Sequence, residues 1–104
     1  GFFGYSYYLA NKDKIKAAAI NGVKPSLEGI QDYSYPIARP LFFYAKKAHV
    51  GVVPGLKEFL DAFTSKKAMG SRGYLTDIGL VPLASDKYKV TRTAAKDLVT
   101  INLK

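Results

Sequence analysis

The chain has 104 residues, 48% of them hydrophobic, with 16 Lys plus Arg against 8 Asp plus Glu for a formal charge of +8 at pH 7, and no cysteine. That length allows one small domain with a modest core, and the cysteine count excludes disulfide frameworks, thiolate metal sites and cysteine nucleophiles. No apolar run approaches the roughly 20 residues a membrane helix needs, and no signal peptide is visible.

Gly1-Phe2-Phe3-Gly4-Tyr5 opens the chain without an initiator Met, on aromatic residues that would have to be buried at once. Natural termini are usually polar and loosely held, so the sequence reads as a piece of a longer protein. Residues 1–9 favour a strand entering a short helix, and 11–16 a polar surface turn. The segment 15–20, with Ala17, Ala18 and Ala19, suits helix or strand by propensity, and Asn21-Gly22 closes it as a turn. Ser26 predicts a short capped helix, although the Glu or Gln of a capping box is missing three residues on.

Tyr35 to Tyr44 is the stretch around which the chain is organised. Pro36 and Pro40 fix φ and push Tyr35 and Arg39 toward extended geometry. Leu41-Phe42-Phe43-Tyr44 follows without alternation, the pattern of a strand buried on both faces. Pro54 suits the first turn of a helix whose Leu56, Phe59, Leu60 and Phe63 form an i, i+3, i+4, i+7 stripe. Thr64 to Lys67 ends that helix, and Ala68-Met69-Gly70 reads as a turn. Residues 71–78 suit a helix with Gly79 as its C-terminal cap, followed by extended 80–83. A last helix from Ser85 or Asp86 is expected, with Thr91, Ala94, Ala95, Leu98 and Ile101 on one face and a final turn weakened by Thr and Val.

Little in the sequence carries catalytic chemistry. His49 is the single histidine, without a second histidine or a carboxylate word beside it, so a surface or packing role is expected and no metal site. No paired-acid motif is present, and the chain is expected not to be an enzyme and to hold no cofactor. Gly70-Ser71-Arg72-Gly73 could cradle an anion through free N–H groups and Arg72, yet it lacks the lysine and spacing of a P-loop, and a turn with a capping serine is the favoured reading. The charge and the 8 Tyr and 6 Phe raise an alternative, a small basic nucleic-acid-binding domain. The lysines are scattered rather than clustered and most aromatics lie in apolar runs, which favours a solvated basic surface, a core use of the rings and no nucleic-acid partner.

Four words in one order, Asn21-Gly22-Val23-Lys24-Pro25-Ser26, Tyr35-Pro36-Ile37-Ala38-Arg39-Pro40-Leu41-Phe42-Phe43-Tyr44, Pro54-Gly55-Leu56-Lys57-Glu58-Phe59-Leu60 and Gly79-Leu80-Val81-Pro82-Leu83, resemble the C-terminal part of the PstS-like phosphate-binding proteins of ABC transporters. The resemblance covers residues 1 to about 83; the Lys87 to Lys104 tail departs from the pattern. It implies an α/β fragment of a two-lobed periplasmic-binding-protein (type II) fold, a mixed sheet flanked by helices, with ligand-driven hinge closure. Residues 1–35 would belong to the second lobe, 36–45 to a hinge crossing and strand, and 46–104 to the first lobe. Tyr35, Pro36, Arg39 and Pro40 would be hinge residues. The family's Ser-Gly-Thr word is absent, so the main phosphate ligands are expected outside this piece, with Arg39, Ser71 and Arg72 as weak candidates within it. The implied partners are inorganic phosphate, a membrane permease and the missing N-terminal part of the same protein, at a periplasmic or extracellular, membrane-associated location. A piece of this kind is also expected to self-associate.

Overall fold

A computed structural model describes residues 1–102. Its elements in order are α1 (Tyr5–Ala10), α2 (Leu27–Gln31), a 3-10 turn (Lys47–His49), α3 (Leu56–Phe63), α4 (Lys66–Met69), α5 (Tyr74–Asp77) and α6 (Ser85–Lys96). The expected mixed sheet is not there. Among the described residues only two isolated bridges occur, Ile20 with Val23 and Val50 with Val53. The physical reason lies in the ladder: strand propensity becomes a strand only when a second extended segment lies alongside to exchange N–H and C=O bonds. No backbone N–H from Arg39 to Ala45 donates to another backbone group. The run expected to be buried on both faces is instead open, with Leu41 81% and Phe42 71% exposed. Residues 1–4 and 15–19 likewise form no strand.

Several local readings hold. Asn21 and Gly22, with φ of 51° and 78°, make the two-residue turn that brings Ile20 and Val23 into reciprocal 2.9 Å hydrogen bonds. Ser26 caps α2, its Oγ accepting from the Gly29 N–H at 3.0 Å. Gly79, at φ +100°, ends α5 in a Schellman arrangement, its N–H bonded to the Thr76 carbonyl and that of Leu80 to the Leu75 carbonyl. Two details shift. Pro54 lies before the α3 N-cap, Gly55, and residues 66–69 continue as α4 rather than a turn.

The packed part of the chain is α3 to α6, where α3 touches α4 and α6, and α4 touches α5. Leu60 and Ala68 are its buried apolar residues and Thr64 its buried polar one. The Thr64 hydroxyl donates to the Leu60 carbonyl at 2.8 Å and accepts from Arg92 Nη1 at 2.6 Å, while Tyr88 Oη donates to the Thr64 carbonyl at 2.8 Å. The end of α3 is thereby fastened to α6. Phe43 from the extended run stacks on Phe63, with centroids 4.8 Å apart, and sits beside Phe59. The apolar stripe of α3 thus serves the predicted crossing, though Phe59 stays 51% exposed.

Around this nucleus the chain is open. Its radius of gyration is 16.2 Å, against about 13 Å for a compact domain of this length. The accessible surface is 8285 Å², where a folded monomer of the same mass exposes about 5,800 Å².

Candidate functional site

The predicted hinge stretch begins in a well-held knot at the end of α2. Asp32 Oδ1 accepts from the Ser34 N–H at 2.8 Å, an Asx turn that reverses the chain. That bond first, and then the Ser34 hydroxyl, holds the Asp32 carboxyl below the usual range, with the Lys87 charge adding to the effect. Tyr33 takes a left-handed φ of 61°, and Lys87 Nζ of α6 lies 4.5 Å from its ring centroid. Gln31 Nε2 donates to the Pro82 carbonyl at 2.8 Å, tying α2 to the segment after α5.

Tyr35 continues the knot. Its N–H donates to the Gly29 carbonyl at 2.9 Å and its hydroxyl to the Ala18 carbonyl at 3.4 Å. The Ala38 N–H then bonds the Tyr35 carbonyl at 3.0 Å, so Pro36 occupies a turn, where its fixed φ is useful, before extended geometry sets in. The stretch read as a straight crossing is therefore a turn at 35–38 followed by an extended run.

This run forms one wall of a trough of about 1890 Å³, lined mainly by apolar groups including Phe2, Phe3, Leu41, Phe42 and Phe43. Small-molecule sites occupy about 300–1,000 Å³ and bring a few polar groups together, so the size and lining describe an uncovered packing face. Burial in its wall, with Tyr8 nearby, raises the Tyr5 hydroxyl above its ordinary pKa.

Of the anion candidates, Arg39 lines the trough with an exposed side chain, whereas Ser71 and Arg72 lie exposed in the turn before α5 and do not line it. The three do not converge on one cavity. The four-residue α5 offers little of a helix dipole to an anion at Gly70-Ser71-Arg72-Gly73. His49 ends the 3-10 turn, exposed, and no group of three or more His, Cys, Asp or Glu that could hold a metal occurs among the described residues. No described helix is long and apolar enough to cross a membrane. Sequence reasoning missed a basic groove between the α3–α4 junction and α6. Lys66 of α4 is remote in the chain from Lys89 and Arg92 of α6, and only folding brings it to them.

Residues 4–67 match the family model described as a PBP superfamily domain. Protein SphX of Synechococcus elongatus is 38% identical over 99 residues, covering 85% of this chain and 26% of that protein. The phosphate-binding protein PstS of Staphylococcus epidermidis is 33% identical over 95% of this chain and 31% of its own length, and that of Staphylococcus aureus 31% identical over 100% and 32%. The chain thus spans about a quarter to a third of the length of these curated relatives. No solved structure matches it. With the family model covering more than half of the chain and relatives of this kind aligned along nearly all of it, the chain belongs to the PBP superfamily and is PstS-like within it.

Proposed function

We propose that this chain is one part of the phosphate-binding component of an ABC-type phosphate import system, which binds its solute without catalysis and closes by a hinge. The observation that carries the reading is that two staphylococcal relatives, 33% and 31% identical over 95% and 100% of the chain, bear the name phosphate-binding protein. In this reading residues 1–35 serve the second lobe, 36–45 the hinge crossing and 46–104 the first lobe. Tyr35, Pro36, Arg39 and Pro40 form the hinge, and the principal phosphate ligands come from the remainder of the polypeptide. The turn at 35–38 with extended chain beyond it supports a hinge there, because a few residues at the end of an element absorb the φ/ψ change of closure.

The partners in this reading are inorganic phosphate, a membrane permease and the rest of the same polypeptide, and the location is outside the cytoplasmic membrane and associated with it. The surface ledger supports the third partner. About 2,500 Å² is exposed beyond what a folded monomer of this mass shows, roughly three times the 800 Å² per side of a standard protein–protein interface. A calorimetric phosphate titration of the 104-residue chain, repeated with the remaining polypeptide added, tests the proposal. Binding that appears only after the addition is expected. Tight binding of another solute, with none of phosphate, would refute the proposed function.

A further inference from the structure

The groove beside the α3–α4 junction is a concavity of about 390 Å³ lined by Ser65, Lys66, Tyr88, Lys89, Arg92 and Thr93. We propose that it binds a doubly charged phosphate group, preferentially a phosphate monoester. Tyr88 with Arg92 and Lys89 with Thr93 are i, i+4 pairs on α6, two neighbouring rows that together line the groove. Ser65 and Lys66 close the groove from the other side.

Two of these side chains are fixed in place before any ligand arrives. Tyr88 Oη is engaged by the Thr64 carbonyl, and the Arg92 guanidinium, with its side chain 21% exposed, is engaged by Asp61 and Thr64. Those bonds use three of the five N–H donors of the guanidinium and leave the others for a ligand. Lys66 and Lys89 are exposed, and neither forms an ion pair among the described residues.

Charge selects the ligand class. The lining carries three cations, one of them neutralised by Asp61, which leaves two positive charges on one concavity. A phosphate monoester dianion matches that sum, whereas a carboxylate or a phosphate diester supplies half of it. Size selects further. The groove has room for about a dozen waters at about 30 Å³ each, enough for the phosphate and for the group that carries it. This site is separate from the proposed receptor function and does not rest on it.

The test uses the full-length protein and follows the backbone amide resonances of Ser65, Lys66, Lys89 and Thr93 by NMR. Inorganic phosphate and glycerol 3-phosphate are added in separate titrations, with dimethyl phosphate and acetate as singly charged comparators. Saturable shifts with the two dianions are expected, with glycerol 3-phosphate the tighter, and a weakening of tenfold or more in the Lys66→Gln/Lys89→Gln double variant, which leaves the Arg92 fastening intact. Asp61→Asn is expected to tighten binding by removing the local negative charge. Tighter binding of inorganic phosphate would keep the site and assign it to the free ion. Absent shifts, equal shifts with the singly charged probes, or unchanged affinity in the double variant would overturn the proposal. The Lys66→Gln/Lys89→Gln double variant separates these outcomes from phosphate binding elsewhere in the protein, which it leaves untouched.

Discussion

Arg92 closes the end of α3 by reaching 31 residues back to Asp61. Its Nη2 lies 2.8 Å from Asp61 Oδ1, while Nη1 donates to both the Asp61 carbonyl and the Thr64 hydroxyl. The two parts of this contact differ in strength. Asp61 is 60% exposed, so water and salt screen the ion pair. The bond to the Asp61 carbonyl satisfies an acceptor that the helix end leaves unpaired, and the bond to the Thr64 hydroxyl reaches a buried group. Arg92→Ala is therefore expected to destabilise the protein by about 1–3 kcal/mol, and Asp61→Asn by less than about 1 kcal/mol. Urea denaturation at low and high salt checks this: the Asp61 effect should fade with salt, whereas most of the Arg92 effect, carried by the bonds to the carbonyl and Thr64, should persist.

Gly79 and Gly22 both have positive φ, at +100° and +78°, yet their surroundings differ. A Cβ built on Gly79 would lie 2.1 Å from Ser6 Cβ of α1, while one on Gly22 meets nothing within 4 Å. Gly22→Ala is expected to cost about 1–2 kcal/mol from backbone strain alone. Gly79→Ala adds a steric clash and should separate α1 from the end of α5. Thermal melts of the two variants should rank them in that order, and equal melting temperatures would contradict the contact between Gly79 and Ser6.

Acid should weaken the knot after α2. Asp32 has a folded-state pKa below its unfolded value. Its contribution is therefore present above the unfolded value and lost as pH falls through the folded one. A carboxyl NMR titration should place Asp32 below an ordinary aspartate, and Asp32→Asn should flatten the acid limb of the stability profile. An ordinary Asp32 titration would remove the Asx turn from the account.

Removing the Ser26 hydroxyl tests the local reading of α2. Ser26→Ala leaves the Gly29 N–H without its cap and is expected to cost about 1 kcal/mol. Ser26→Asp should retain most of that stability, because aspartate caps as well as serine does. Both are read from denaturant midpoints.

As a separate 104-residue chain the protein is expected to self-associate through its trough. Phe2 is 94% exposed and lies with Leu41 and Phe42 on one lining. Light scattering should report a mass above the monomer that falls when Phe42→Ser and Leu41→Ser are combined. A monomer with a sharp unfolding transition would count against the uncovered face.

What could be read from the sequence was short-range. The Asn21-Gly22 turn, the Ser26 cap, the α3 stripe and the Gly79 cap each depend on residues within a few positions of one another, and each is present. The end of α6 escaped because its Schellman position is held by Leu98, at φ 52°, with the Val99 N–H bonded to the Ala94 carbonyl. No glycine advertises that stop. The strand over 41–44 failed because propensity says nothing of where a partner lies. The groove of Lys66, Lys89 and Arg92 was invisible because its cations lie on separate elements, α4 and α6.

The open backbone of Leu41-Phe42-Phe43-Tyr44-Ala45 has a further consequence. It is an uncharged, proline-free window of strong β propensity with unpaired N–H groups, the signature of a segment that seeds cross-β fibrils. Arg39-Pro40 before it and Lys46-Lys47 after it stand as gatekeepers. Until that window is covered, these four residues are expected to oppose the stacking of neighbouring chains on one another.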